Sequence, residues 1–367
     1  MKPVVSFCIP VYNNAEGAVK IVGALLSSQD DRFEVVVSDD NSRDNVGKLL
    51  SGIHDERFRY FRNEKNLGAH KNWEHSLELG RGEWLYLIMG RDIIDGGSVS
   101  NLIGQLIKAR ENNIVFLKDD SRKYKDFKVS EGIDAMIDFI KYNHPTGCVF
   151  RSDLFGAIPN RTRYFEISDM YPELYVIRDM AMKGKCAIIC SGVNRRFLGA
   201  DLAKVKSSVE CGMDISKTYF SPPRRTKQFF EQLDMVESDL PRVFTLSELD
   251  RYFKERYVFF LENVSYWWRM WNKDPELMAH YGQPIRHVSI REMARNIIQG
   301  YHDTTAHLKE KGTYTPSRRR IMLCVTSWAV VRLCTKSAIK SVLEPLGVWK
   351  ILYRIRHKGN IQALNLL

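Results

Sequence analysis

No stretch of this 367-residue chain reaches the roughly 18 uncharged apolar residues of a membrane span; the best candidate, Ile321 to Leu333, is interrupted by Arg332. A spanning helix is therefore not expected. The first residues, MKPVVSFCIPVYNN, hold one lysine and a short apolar run broken by Pro10, which predicts a first strand and no export leader. The seven cysteines form no CxxC pair and no Cys/His cluster of zinc-finger spacing, so neither a disulfide framework nor a structural metal is indicated and a reducing compartment fits. The first strand is not followed by GxGxxG, which argues against a dinucleotide-dependent enzyme. No internal repeat or low-complexity segment is present.

What the chain has in excess is positive charge, and its distribution is uneven. The formal net charge is +11, yet residues 315–367 alone contain ten Lys/Arg against a single acid, Glu344. The rest is close to neutral. Because this charge sits in one terminal segment interleaved with Trp328, Leu333, Val342, Leu346, Trp349 and Leu352, it suits an anionic lipid surface, with nucleic-acid binding as the alternative. Arg332, Lys336 and Lys340 recur on one helical face and Cys324, Val331, Cys334, Ala338 and Val342 on the opposite one.

Val4 to Ile9, Phe33 to Ser38 and Glu83 to Met89 are β-type runs separated by helical spacing such as Val19, Val22, Leu25 and Leu26. That alternation predicts a doubly wound, mostly parallel sheet. Further strands are expected around Phe58 to Phe61, Asn113 to Leu117 and Cys186 to Ile189. Beyond Ser221-Pro-Pro-Arg-Arg225 the pattern becomes helical, through Phe229 to Met235, Leu246 to Trp271 and Ile290 to Leu308. Three parts follow: an α/β domain over 1–215, a helical region over 216–313 and a basic amphipathic, membrane-associating tail over 314–367.

In open α/β sheets ligands bind beyond the carboxyl ends of the strands. Asp39 and Asp40 end the second strand there, and a fixed carboxylate can accept the imide N–H of a pyrimidine base flanked by Pro10, Tyr12 and Asn13. For Asp40 and Ser42, capping of the next helix and ligand contact are both open.

Four segments in the first half, FCIPVYNN from Phe7, VVVSDDNSRDN from Val35, the run from Arg62 to Asp92 containing NLG at Asn66 to Gly68 and Asn72, and HPTGCVFRSDLF from His144, together resemble family 2 glycosyltransferases of the GT-A fold. The resemblance covers roughly the first 200 residues. It implies inverting transfer of a sugar from a nucleoside-diphosphate sugar, with UDP-sugars favoured, to a glycan hydroxyl. It also implies a metal-binding D-x-D or G-D-D cluster after the third strand, where this chain has Met89-Gly90-Arg91-Asp92. A lone Asp92 is a poor Mg²⁺ or Mn²⁺ site unless phosphate and water complete it. Arg91 meeting the diphosphate in place of a metal, Asp92 still binding one, and a decayed site are the three alternatives.

The resemblance further places the catalytic base before a helix that ends in Gly about eleven residues later, which from Gly184 gives Glu173, with Asp169 as runner-up. Glu173 also suits a helix N-terminus for its dipole alone. His144 is placed at the acceptor cleft, with a structural role as the alternative. A basic tail beside a lipid-linked acceptor implies bacterial surface-polysaccharide assembly, the enzyme being cytoplasmic and peripheral on the inner face of the plasma membrane. A catalytically silent binding module remains the competing class.

Overall fold

The β-branched runs become strands because helices cover them on both sides. A computed structural model describes residues 2–90, 92–118, 127–142, 145–167, 171–190, 192–195, 221–237, 244–273 and 289–343. The chain divides into two units, Met1–Ala200 and Asp201–Leu367.

In the first unit, β1 (Val5–Val11), β2 (Phe33–Asp39) and β4 (Trp84–Leu87) are buried at every residue, which is why they read as near-continuous apolar runs. β3 (Phe58–Arg62), at the sheet edge, is half-buried. With β6 (Ile114–Lys118), β7 (Phe127–Glu131), β8 (Cys148–Arg151) and β9 (Lys185–Cys190) they form one sheet of order β3-β2-β1-β4-β8-β6-β9-β7. The β8 strand runs antiparallel to β4 and β6, and β7 antiparallel to β9, while the other pairings are parallel. The mostly parallel, doubly wound sheet expected from sequence is thus present.

Helices α1 (Ala15–Leu26), α2 (Val46–Leu50) and α4 (Val99–Lys108) pack on the face carrying Phe7, Ile9, Val35 and Val37. On the other face lies α3 (Ala69–Glu78), whose Asn72 accepts from Ser38 Oγ at 2.7 Å. Also there is α5 (Gly132–Tyr142), with Phe139 against Phe116 at 5.8 Å. Short helices α6 (Ser152–Gly156) and α7 (Arg161–Ile167) lead to α8 (Glu173–Ala181), of which every residue but Asp179 is buried. A small antiparallel ladder of β5 (Ile93–Ile94) with β10 (Asn194–Arg195) anchors the chain just beyond Asp92.

The second unit is helical: α9 (Pro222–Glu237), α10 (Leu246–Lys273), α11 (Ile290–Glu310) and α12 (Pro316–Leu343). Thr245 and Glu248 start α10 with a reciprocal capping box, Thr245 N to Glu248 Oε2 at 2.8 Å and Glu248 N to Thr245 Oγ1 at 3.3 Å. The core stacks Phe229 on Phe260 at 4.7 Å and buries Tyr257, Met293, Ile297 and Met322. Here one expectation needs correction. Arg318, counted by sequence with the basic, membrane-associating tail, is buried, with Nη1 2.7 Å from Glu237 Oε2 and Nε 3.0 Å from Asp250 Oδ1. Two acids on neighbouring helices neutralise it, which charge counting along one segment does not reveal. The helical unit takes in both α11 and α12, on either side of the 313/314 boundary read from sequence.

Candidate functional site

The chain moves from β1 outward to β2 and β3, then returns to the opposite side of β1 as β4. That reversal makes a crevice at the carboxyl ends of β1 and β4, the place where such sheets bind ligands. Pairing between β1 and β4 ends at Cys8↔Leu87, and Pro10 lies past it, where its missing N–H costs no pair with β4.

Three loops rim the crevice and are tied together by polar contacts. After β1, Tyr12 is exposed and Asn13 adopts φ 49°. Asn13 N donates to Ser42 Oγ at 2.9 Å, and Asn13 Oδ1 accepts from Arg43 N at 2.8 Å, joining this loop to the one after β2. Asn14 accepts from Gly17 N, capping α1, and donates to Gly90 O at 2.5 Å, joining it to the loop after β4. Gly17 is needed for that approach, since a Cβ there would stand 2.2 Å from the Gly90 carbonyl.

Asp39 lies at the end of a row of register partners, Val11↔Asp39↔Arg62. Its side chain is fully buried and its carboxylate receives Ser42 N at 2.9 Å on Oδ1, and Tyr60 Oη at 2.6 Å and Arg62 Nη1 at 3.2 Å on Oδ2. Burial, with the Asp39 hydrogen bond, pushes the Tyr60 phenol up to about 12, so the phenol stays a donor at neutral pH. Tyr60 and Arg62 were not singled out in the sequence. Their two-residue spacing on an edge strand is the available signal, because it puts both on the face that carries Asp39.

Asp40 is held differently. Its carboxylate accepts Leu67 N at 2.7 Å, Asn63 Nδ2 at 3.1 Å and Gly68 N at 3.0 Å, so it pins the turn at Asn66-Leu67-Gly68. It does not cap α2, whose N-cap is Asn45 without a side-chain bond. Gly68 has φ 86°, a positive-φ backbone that glycine adopts without a Cβ clash, and Asn72 ties Ser38 to Asn63 from below.

Asp92 is half-buried and its Oδ2 accepts Met89 N at 2.9 Å, closing the loop after β4. Among the described residues no group of three or more His, Cys, Asp or Glu side chains is arranged to hold a metal ion. The next acid, Asp95, serves Gly97 N and Ser98 Oγ, both at 3.1 Å. This donor set does not fit an all-protein cation site; a divalent ion here would draw most of its oxygens from phosphate and water.

Glu173 opens α8 after Pro172 and is 2% exposed. It lies near Cys148, whose thiol is held well above its ordinary value by burial first and by the Glu173 charge next. Cys148 starts β8 beyond the Tyr86↔Val149 pair, at the same carboxyl edge of the sheet, so Glu173 is brought to that edge on the α8 face. Arg91, His144 and Asp169 lie outside the described residues.

Residues 6–183 match the family model described as glycosyl transferase family 2. An uncharacterized glycosyltransferase of Mycoplasma genitalium is 26% identical over 166 residues, covering 43% of this chain and 51% of that protein. Glycosyltransferase GlyG of Streptococcus pneumoniae is 25% identical over 108 residues, 29% of this chain and 36% of its own. An uncharacterized protein of Mycobacterium tuberculosis is 33% identical over 101 residues, 28% and 32% respectively. The matches thus span about a third to a half of these relatives' lengths. Among solved structures, S. aureus TarS 1-349 in complex with UDP-GlcNAc aligns over 86% of this chain and 93% of its own, with a TM-score of 0.52 and 14% identity, a likeness of fold. Residues 6–183, which carry the sheet and its crevice at the β1/β4 reversal, are thus a glycosyl transferase family 2 domain.

Proposed function

We propose that this protein is an inverting glycosyltransferase that moves a sugar from a nucleoside-diphosphate donor, a UDP-sugar above others, to a glycan hydroxyl. The acceptor is a lipid-linked glycan of surface-polysaccharide assembly, and the enzyme works as a cytoplasmic protein apposed to the inner face of the plasma membrane. The observation that carries the donor reading is Asp39, a carboxylate held by three donors at the crevice. A pyrimidine imide presents an N–H flanked by carbonyl oxygens. In this reading the N–H takes the place of the Arg62 contact, the longest of the three at 3.2 Å, and Arg62 donates to a base carbonyl. Pro10, Tyr12 and Asn13 flank the base, and Arg91 and Asp92 face the diphosphate.

A carboxylate removes the proton from the acceptor hydroxyl. The hydroxyl oxygen forms the bond to the anomeric carbon from the face opposite the diphosphate, the proton passes to the carboxylate, and the C–O bond to phosphate breaks, releasing the nucleoside diphosphate. Glu173 is the proposed base and Asp169 the alternative, with His144 at the acceptor. Glu173→Gln is expected to lower turnover about 10²-fold or more while donor affinity is kept. Full activity in that variant, with loss in Asp169→Asn, moves the role to Asp169.

The deciding experiment is a mass-spectrometric screen of UDP- and GDP-sugars against lipid-linked acceptors, with and without EDTA. Transfer that survives EDTA supports guanidinium in place of a metal, whereas loss restored by Mn²⁺ assigns the metal to Asp92 and phosphate. The single acid in Gly90-Arg91-Asp92 favours one second reading, a catalytically silent nucleotide-sugar binder. Saturable UDP binding without turnover on any donor would establish it.

A further inference from the structure

Within the helical unit, α12 has a buried inner side and an exposed, largely apolar outer one. The inner one, Arg318, Met322, Thr326 and Leu333, is buried. The outer one, Leu323, Cys324, Ser327, Trp328, Val331 and Cys334, is exposed, with Trp328 at 53% and Val331 at 62%. A spacing of three and four residues keeps Cys324, Ser327, Val331 and Cys334 in one stripe. The apolar side read from sequence therefore points away from the bundle core, and burial within this unit does not account for it.

We infer that this outer stripe of α12 is the docking face for an anionic lipid surface. Charge selects the occupant. Residues 316–343 contain six Lys/Arg and no Asp or Glu. Arg318 is neutralised inside the bundle, whereas Arg319 and Arg320 are exposed at the start of the stripe. Arg332 stands over the Trp328 ring at 4.8 Å, and an indole beside a guanidinium suits the boundary between headgroup and acyl chain. Arg332 also pairs with Glu262 of α10 at 3.5 Å, so the selection rests on Arg319 and Arg320 and on the lack of any acid in residues 316–343. A second copy docked helix to helix would add only like charge, so self-association along α12 is disfavoured where anionic headgroups are attracted. The membrane lies along α12, not across it, since no helix among the described residues is long and apolar enough to cross a membrane.

The inference rests on the membrane-apposed part of the function proposed above and assigns residues to it. Sedimentation of the full chain with phosphatidylcholine–phosphatidylglycerol vesicles, read without donor or acceptor, tests it separately from catalysis. The wild type is expected to bind these vesicles at low salt and to leave pure phosphatidylcholine vesicles unbound. The triple variant Leu323→Ser, Trp328→Ser, Val331→Ser is expected to lose about tenfold in partitioning with an unchanged thermal unfolding profile. A paired variant, Ile298→Ser on α11, removes an exposed apolar side chain away from the stripe and is expected to bind as wild type. The inference is overturned if the wild type ignores anionic vesicles, if the triple variant binds equally, or if light scattering shows a wild-type dimer that the triple variant dissolves. Failure here leaves the transferase reading intact, and lost turnover with retained vesicle binding does the reverse.

Discussion

Tyr60 illustrates how one side chain conditions another at this crevice. Its hydroxyl donates to Asp39 at 2.6 Å and holds the carboxylate in one orientation, so the N–H of the proposed base would meet a fixed acceptor. Tyr60→Phe keeps the ring and removes that single bond, whose net worth is about 1 kcal/mol. UDP affinity by calorimetry is expected to weaken about 3- to 10-fold. An unchanged affinity would show that Ser42 N and Arg62 orient Asp39 without it. Asp30 offers a residue-scale test of stability in the turn between α1 and β2. Hydrogen bonding from Arg32 lowers its carboxyl from 3.8 to about 2. A depressed folded-state value contributes stability above the unfolded value and loses it as pH falls through the folded one. Asp30→Asn is therefore expected to be less stable than wild type in urea at pH 6, the gap closing as pH falls from about 4 toward 2. A gap independent of pH would assign the effect to hydrogen-bond geometry alone.

At the scale of elements, α12 is tied into the helical unit by Arg318, whose guanidinium sits 5.1 Å over Phe253 and reaches acids on both α9 and α10. Burial raises the Glu237 carboxyl and Arg318 opposes that rise, so each charge needs the other. Arg318→Met leaves Glu237 and Asp250 facing an apolar side chain, and removal of one partner of a buried pair costs roughly 3–5 kcal/mol. Urea denaturation followed by helical circular dichroism is expected to show a loss of that order. A change under about 1 kcal/mol would mean that water reaches the acids. The strands were easier to read than this contact. Val5–Val11 and Phe33–Asp39 announce themselves because a strand covered on both faces is apolar throughout. The antiparallel β8, within the segment from His144, was not expected, because a four-residue strand carries no signal of direction.

For the whole molecule, the packing of α12 into the helical unit changes what truncation should do. Removing 315–367 takes away α12, and with it Met322 and Arg318 from the core, so the helical unit is expected to lose cooperative unfolding along with lipid binding. Removing only 344–367 keeps α12 and is expected to preserve the melting transition while weakening the electrostatic part of vesicle binding. Equal melting of both truncations would contradict the packing of α12. The alternation of apolar runs and helical spacing was enough, by itself, to determine a doubly wound sheet followed by helices, because burial on two faces and amphipathic period are local properties of the chain. The motif order around Asp39, Asn66-Leu67-Gly68 and Asp92 likewise determined the family resemblance. Only the tertiary structure decided that Asp40 pins the Gly68 turn and that Tyr60 and Arg62 converge on Asp39. It also decided that Arg318 lies inside while Trp328 and Val331 face outward. Those outcomes depend on which distant segments meet, and a hydrogen bond or ion pair between residues tens of positions apart leaves no periodicity in the sequence to be read.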